Sequence, residues 1–439
     1  MSRAGEVDAR QTRMGPRYPV WDPGRMTASP HVLDLDITGI AHGGTFIARH
    51  EGRVVFVPDA IPGERVRVRI TDAAEGADSR RFWRAETLEV LEASPHRRTH
   101  VWAEADVSRP PEERVGGADL GHIDLAEQRA LKRLVLQEAL DKFAGAGIDA
   151  PAVEAVDDGD GTGWRTRVSL HVDDDGRIGP YAARSHRVID VATLPLARPA
   201  VAAAAAALRD QKPGRVDLVE PGDGAVRVLP RPQAPQHGRR RGVRRSAGRG
   251  APETVFELAG GRRFAVDAAG FWQVHPRAAD VLSEAVGTVL QGRVDPDTTH
   301  FDLYGGVGLF AAALGAHGAT DIITVESDRR ATEHATENLA DLGVQAVTAR
   351  VDRFLAGLPE RTRAGVVVMD PPRAGAGRSV VEGVQALDPE HIVYVACDPV
   401  ALSRDLGTLR GLGWSVDSLR AFDLFPHSHH FEAVALLTR

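Results

Sequence analysis

THFDLYGGVG, residues 299–308, is the stretch on which the fold turns. A short run of strand character passes directly into glycines, which let a backbone turn tightly where a strand ends. Three further runs behave alike: DIITVES (321–327), AGVVVMDP (364–371) and HIVYVACDP (391–399). Continuous apolar runs of this length belong to strands buried on both faces of a parallel sheet. Between them, ATEHATENLADLG (331–343) and SVVEGVQAL (379–387) carry helical spacing. The alternation predicts a doubly wound, Rossmann-like α/β domain over residues 264–439. WSVDSLRAFDLFP (414–426) and HFEAVALLTR (430–439) predict two last strands in an antiparallel ending.

Toward the N-terminus the pattern changes. Residues 29–95 break into four or five short alternating runs with Gly- and Pro-marked turns, which predicts a small OB-like β-barrel, a common scaffold for RNA contact. Residues 96–263 predict a mixed α+β central domain. In it LAEQRALKRLVLQEALDKFAGAG is a helix ending in glycine, and WRTRVSLHVDDDGRIGPY forms strands around a DDDG turn. Its loop 232–250 gathers Arg239, Arg240, Arg241, Arg244, Arg245 and Arg249 with almost no apolar residue, as a solvated loop or an RNA-tethering arm would. Residues 1–28 read as a disordered lead-in.

Composition narrows the classes. At 439 residues the chain is too long for one core. A hydrophobic fraction of 43% with 26% charged residues is that of a globular protein. No apolar run approaches the ~20 residues of a membrane span, and MSRAGEVDARQTRMGPR lacks the apolar segment of a secretory signal. The expected setting is cytoplasmic, without a membrane partner, and the expected state is a monomer. A net charge of -7 excludes a uniformly basic nucleic-acid binder but leaves local basic patches open. One cysteine excludes a disulfide framework and an all-cysteine metal or iron–sulfur site.

Candidate chemistry lies where the apolar runs end. Tyr304 and the glycines after it close the first run, and Glu326 closes the second, where an acid accepts ribose hydroxyls in nucleotide-binding α/β folds. GVGLFA (306–311) also satisfies G-x-G-x-x-A, so a dinucleotide-dependent dehydrogenase competes at this point. Asp370-Pro371-Pro372-Arg373 decides against it, because a carboxylate on a stiff turn suits a substrate facing a methyl donor. Cys397 ends the next run just before a helix start, where the dipole and free N–H groups are expected to favour a thiolate. Asp398 beside it is expected to oppose that. Glu432 heads the last apolar strand. The three histidines of Pro426-His427-Ser428-His429-His430 lack the spacing of a zinc site.

Together these segments resemble the RNA 5-methyluridine methyltransferases, with the N-terminal barrel similar to a TRAM domain. FWQVHP (271–276) is similar to the family's F-x-Q-x-N, DLYGGVG to D-L-Y-C-G-V-G, and DPPRAG to D-P-P-R-x-G. YVACDPVALSRDL is similar to Y-x-S-C-N-P-x-T-L-x-R-D, and FPHSHHFE to F-P-x-T-x-H-x-E. The resemblance implies that Gln273, Tyr304, Glu326 and Asp370 contact S-adenosylmethionine, with Cys397 as nucleophile and Glu432 as general base. It also implies a ribosomal or transfer RNA substrate whose target base is flipped into the site. Arg373 becomes a candidate for phosphate contact. Three positions depart from the pattern: His275 stands for Asn, Gly305 for Cys and Asp398 for Asn. The family's cluster-binding C-G-G-C reads Val115-Gly116-Gly117-Ala118, so no iron–sulfur cluster is expected. A non-catalytic RNA-binding protein would fit the barrel and basic loop, and cytosine C5 would need the same thiolate addition as uridine.

Overall fold

The structure is a computed structural model that describes residues 31–71, 81–233 and 253–439. The expected disordered lead-in and all but the first two residues of the basic loop, with its six arginines, lie outside the described residues.

β1 (Val32–Ala41), β2 (Thr45–His50), β3 (Arg53–Val57), β4 (Arg65–Ile70) and β5 (Phe82–Glu92) close into a barrel in the order β1-β2-β3-β5-β4. Alternate residues such as Leu35, Phe46, Val55, Val57 and Val68 fill its interior, and closure leaves no open sheet edge. Glu64 pins the barrel to the following segment. Its carboxylate is fully enclosed and accepts from Arg97 Nε at 2.6 Å and Arg97 Nη2 at 2.7 Å.

α1 (Leu125–Ala139) starts at Asp124, whose side chain accepts from the Glu127 amide, a standard N-cap. It runs into one wider turn and stops at Gly145. The short β6 (Val153–Ala155) follows. β7 (Arg167–Val172), β8 (Ile178–Gly179), α2 (Pro199–Ala206), β9 (Gly214–Val219) and β10 (Arg227–Pro232) make a separate sheet in the order β10-β9-β7-β8, with Val201 of α2 buried against Leu170 and Leu218. β11 (Thr254–Ala259) and β12 (Arg262–Asp267) form a hairpin.

The C-terminal part runs α3 (Ala278–Leu290), β13 (Thr299–Leu303), α4 (Leu309–Ala316), β14 (Asp321–Glu326), α5 (Arg329–Asn338), β15 (Gln345–Thr348), α6 (Val351–Ala356) and β16 (Val366–Met369). It ends with α7 (Arg378–Ala386), β17 (His391–Ala396), α8 (Pro399–Gly411), β18 (Ser415–Asp423) and β19 (Glu432–Thr438). One eight-stranded sheet results, in the order β15-β14-β13-β16-β17-β19-β18-β6. β13 to β17 pair in parallel, β19 runs antiparallel to both β17 and β18, and β6 joins the edge parallel to β18. The antiparallel ending expected of the last two strands is present.

Both faces of this sheet are covered. Phe301, Leu303, Val367, Met369, Ile392 and Tyr394 face a layer that includes Leu136 of α1, Val381 of α7 and Leu402 of α8. Their neighbours Val366, Val368, Val393 and Val395 face Leu282 of α3 and Phe310 of α4. Period-two alternation therefore serves two cores at once, which is why these strands read as unbroken apolar runs. α1, in the stretch read as central, is locked here by Lys132: its Nζ donates to Asp423 Oδ1 at 2.6 Å and to the Phe425 carbonyl at 3.1 Å.

Val115 and Ala118, at the two positions where the resemblance would set cysteines, are buried with Trp102, Trp164, Ala182 and Leu196. Apolar packing occupies that place, and with one cysteine in the chain no four-cysteine cluster can form.

Candidate active site

Parallel strands bring all their C-terminal ends to one edge. Tyr304 follows β13, Glu326 closes β14, Asp370 follows β16 and Cys397 follows β17. Because β19 runs the other way, its first residue, Glu432, arrives at that same edge. Ala396 pairs with Ala433, so the next step of the register sets Cys397 opposite Glu432. Residues opposed across antiparallel strands have Cα atoms about 4.5–5.5 Å apart. Gln273 reaches the edge from the segment between β12 and α3. All six residues line one cavity of about 1090 Å³. Single-ligand pockets run to roughly 1,000 Å³, so this one is as large as the roomiest of them.

The glycine turn is shaped by its neighbours. Tyr304 adopts φ of 64°, a left-handed conformation that is uncommon outside glycine and concentrates at functional sites. Glu326 accepts from the Gly306 amide at 3.2 Å and the Asp328 amide at 2.7 Å, tying two loops together. A Cβ at Gly305 would collide with Thr324 Oγ1 and Asp302. The Thr324 hydroxyl occupies that space while donating to Asp302 Oδ2 at 2.9 Å, which accounts for glycine where the D-L-Y-C-G-V-G pattern would set cysteine.

Three buried acids of the site are held above the usual carboxylate range. Burial pushes Asp302 up to about 7, and burial with the nearby Asp302 pushes Asp370 to about 7. Glu432 is raised well above the usual carboxylate range by burial and by Asp370, with Arg373 opposing. Cys397 is pushed up to about 12, first by burial and then by Glu432 and Asp370.

This corrects the expectation that the helix start would favour a thiolate. Asp398 caps α8, accepting from the Val400 amide at 3.0 Å and the Ala401 amide at 2.8 Å. The N–H groups that could have stabilised Cys397 are engaged by Asp398 instead. Asp398 does raise the thiol pKa, as expected, but it is the last of the causes. Its other oxygen meets His42 Nε2 of the barrel at 3.2 Å.

The histidines each have structural partners. His427 Nε2 lies 2.9 Å from the Asp160 carbonyl, and its amide donates to Gln128 Oε1 at 2.8 Å. His429 Nδ1 lies 2.6 Å from Asp119 Oδ2. His430 is pushed down to about 3 by burial, His429 and Arg373, and Arg373 Nη2 sits 3.4 Å from its Nε2. No group of the described residues could hold a metal ion. His275, the other departure, is buried, stacks on Trp164 at 5.8 Å between ring centroids, and its Nδ1 accepts from the Arg277 amide.

Arg373 and His430 both line the cavity. So does Arg165, which the sequence reading missed; the available signal was the alternation Trp164-Arg165-Thr166-Arg167 at the head of a strand.

Comparison with known proteins agrees with this architecture. The TRAM domain model matches residues 31–77, and the tRNA (Uracil-5-)-methyltransferase model matches residues 358–439. An uncharacterized RNA methyltransferase of Streptomyces avermitilis is 40% identical over 92% of this chain and 97% of its own length. The 23S rRNA (uracil(1939)-C(5))-methyltransferase of Halomonas elongata is 32% identical over 94% of this chain and 91% of its own. In fold, the Pyrococcus abyssi tRNA (uracil-54, C5)-methyltransferase, solved with S-adenosyl-L-homocysteine, is similar with a TM-score of 0.67, at 21% identity over 92% of this chain and 99% of that one. With a barrel that matches the TRAM domain and relatives of this identity along almost its whole length, the chain belongs to the RNA uracil-C5 methyltransferase family.

Proposed function

We propose that this protein methylates C5 of a uridine in ribosomal or transfer RNA, taking the methyl group from S-adenosylmethionine, with Cys397 as nucleophile and Glu432 as base. The register that opposes Cys397 to Glu432 across β17 and β19 carries the reading, because thiol and carboxylate must address adjacent carbons of one ring. Helices on both faces of the sheet support reading it as Rossmann-like. The protein acts as a cytoplasmic monomer.

The cavity suits the cofactor. Glu326 ends its strand where acids accept ribose hydroxyls, and Gln273, Tyr304 and Asp370 line the same space. S-adenosylmethionine supplies an electrophilic methyl on a cationic sulfonium, and positive charge suits a site lined by this many acidic groups. Arg373 acts in the same direction, lowering both Cys397 and Glu432.

Uracil C5 is a poor nucleophile until C6 is attacked. Cys397 loses its proton to water and its sulfur bonds to C6, moving the ring electrons onto C5 and O4. C5 would then take the methyl group, the methyl–sulfur bond of the sulfonium breaking so that its electrons leave with a neutral thioether. Glu432 removes the remaining C5 proton; those electrons restore the C5–C6 double bond as the sulfur leaves, and the proton returns to it. A carboxyl held above its usual range is a correspondingly strong base once charged.

The test is incubation with 5-fluorouridine-substituted ribosomal and transfer RNA plus S-adenosylmethionine. Fluorine at C5 leaves no proton for Glu432, so a denaturant-resistant protein–RNA adduct is expected. Absence of an adduct with either RNA, or one that survives Cys397→Ala, overturns the mechanism.

A further inference from the structure

Behind the active cavity lies a second one of about 420 Å³, and the two share a wall made of Arg165, Ala269, Gly270 and Val274. The second cavity is built on β7 and β9, outside the sheet that carries the candidate catalytic residues. Its volume exceeds that of a nucleobase, and falls within the range of single-ligand pockets of about 300–1,000 Å³.

Its charge is unbalanced. Arg215 and Arg231 both pair with one acid, Asp217, at 2.6 and 2.7 Å. Arg167 is matched by Glu257 at 3.1 Å. Arg165, in the wall, makes no ion pair with a carboxylate among the described residues; its guanidinium lies 5.2 Å from the Trp164 ring, and Arg373 opposes its charge more than Asp119 favours it. Two excess positive charges therefore remain around this space.

Unmet hydrogen-bonding capacity has one sign as well. Trp102 Nε1, Arg165 Nε and Arg167 Nε are enclosed without a partner among the described residues, and all three residues line the second cavity. Each is a donor. A buried donor left unpaired costs about 1–3 kcal/mol, so the fitting ligand brings acceptors and negative charge. A nucleotide offers both, in phosphate oxygens and base carbonyls.

We propose that the second cavity receives the RNA nucleotide next to the one being methylated, and that Arg165 holds the phosphodiester joining the two. This rests on the methylation reading for its substrate, and it adds a second place where the RNA is gripped. Continuity of the chain requires a phosphate near the shared wall, and the wall presents an arginine with no carboxylate paired to it among the described residues. Register along the RNA would then be set by two pockets rather than one.

Filter binding of the full chain to ribosomal and transfer RNA at several salt concentrations tests this. Arg165→Ala should weaken binding about tenfold and flatten the dependence of log Kd on log salt by about one phosphate contact. Arg165→Lys, which keeps the charge, should restore most of the salt slope. Ser169→Trp fills the second cavity without lining the first, and should raise Kd about tenfold. Wild-type affinity and salt slope in both Arg165→Ala and Ser169→Trp overturn the proposal. Binding is read without methyl transfer. A wild type that forms no 5-fluorouridine adduct, while both variants lose RNA affinity, would sink the methylation reading but uphold the second cavity and Arg165 as an RNA-gripping site.

Discussion

His42 Nε2 in the barrel lies 3.2 Å from Asp398 Oδ2, the carboxylate directly following Cys397. The turn after β1 thus touches the residue beside the proposed nucleophile. Burial pushes the Asp398 carboxyl up, but the contact with His42 and the helix-capping amides of Ala401 and Val400 outweigh it and hold the group below the usual range, so it is an anion at neutral pH next to a thiol that must ionise.

Replacing Asp398 by the asparagine of the Y-x-S-C-N-P pattern should ease that ionisation. Asn retains an oxygen to cap α8 but removes the charge. The alkylation of Cys397 by iodoacetamide at pH 8 should speed up about threefold, half a pH unit of thiol acidity. An unchanged rate–pH profile would show that the charge is screened from the sulfur.

Glu432→Gln should divide the reaction at its last step. Methyl transfer to C5 can proceed, whereas loss of the C5 proton cannot. Turnover should fall about a thousandfold, and a methylated protein–RNA adduct should survive denaturing electrophoresis with ordinary uridine RNA. Loss of turnover without adduct would mean that Glu432 acts earlier.

Asp302 makes stability fall with rising pH. Its folded pKa of about 7 exceeds the unfolded value of about 3.9, so the folded chain binds the extra proton. That stability is complete below pH ~4 and is lost as the pH rises through about 7. Asp370 adds an effect of the same sign. Asp302→Asn stays neutral, so its drop in Tm between pH 5 and 8 should be smaller by about 3–5 °C. Equal drops in the two proteins would refute the assignment.

Gly305→Cys, which restores the D-L-Y-C-G-V-G pattern, should be harmful because Thr324 Oγ1 occupies the space. Overpacking of this kind costs about 1–3 kcal/mol. Adding Thr324→Ala should recover most of the loss in urea denaturation, a coupling between positions 305 and 324 that independent effects would not produce.

Lys132 and Asp423 are nearly inaccessible, at 1% and 3% side-chain exposure. Lys132→Met strands a buried carboxylate and should destabilise by about 3–5 kcal/mol, while Lys132→Met with Asp423→Leu should regain most of it. Chemical denaturation of both variants measures the difference.

Much of this was legible because the informative residues sit where strands end. Tyr304, Glu326, Asp370 and Cys397 each close an apolar run, and parallel pairing alone brings such ends together. Glu432 was legible as a carboxylate heading an apolar strand; its place opposite Cys397 needed the reversal of β19, which neither segment reveals by itself. β6 and β15, of three and four residues, are too short to show a period. The thiol of Cys397 was misjudged because local sequence shows a helix start but not which group takes its amides. Arg165 escaped notice since arginines on strands are ordinarily paired, and the lack of a partner is a property of three-dimensional packing.

The tryptophan-lined core around Val115 and Ala118 has a consequence for the life of the protein in the cell. A central region held by aromatic and aliphatic side chains needs no iron, no sulfide and no assembly machinery, and has no cluster for dioxygen or peroxide to dismantle. The chain's sole sulfhydryl, at Cys397, is only partly exposed, and a thiol held this far from ionisation is a slow target for oxidants.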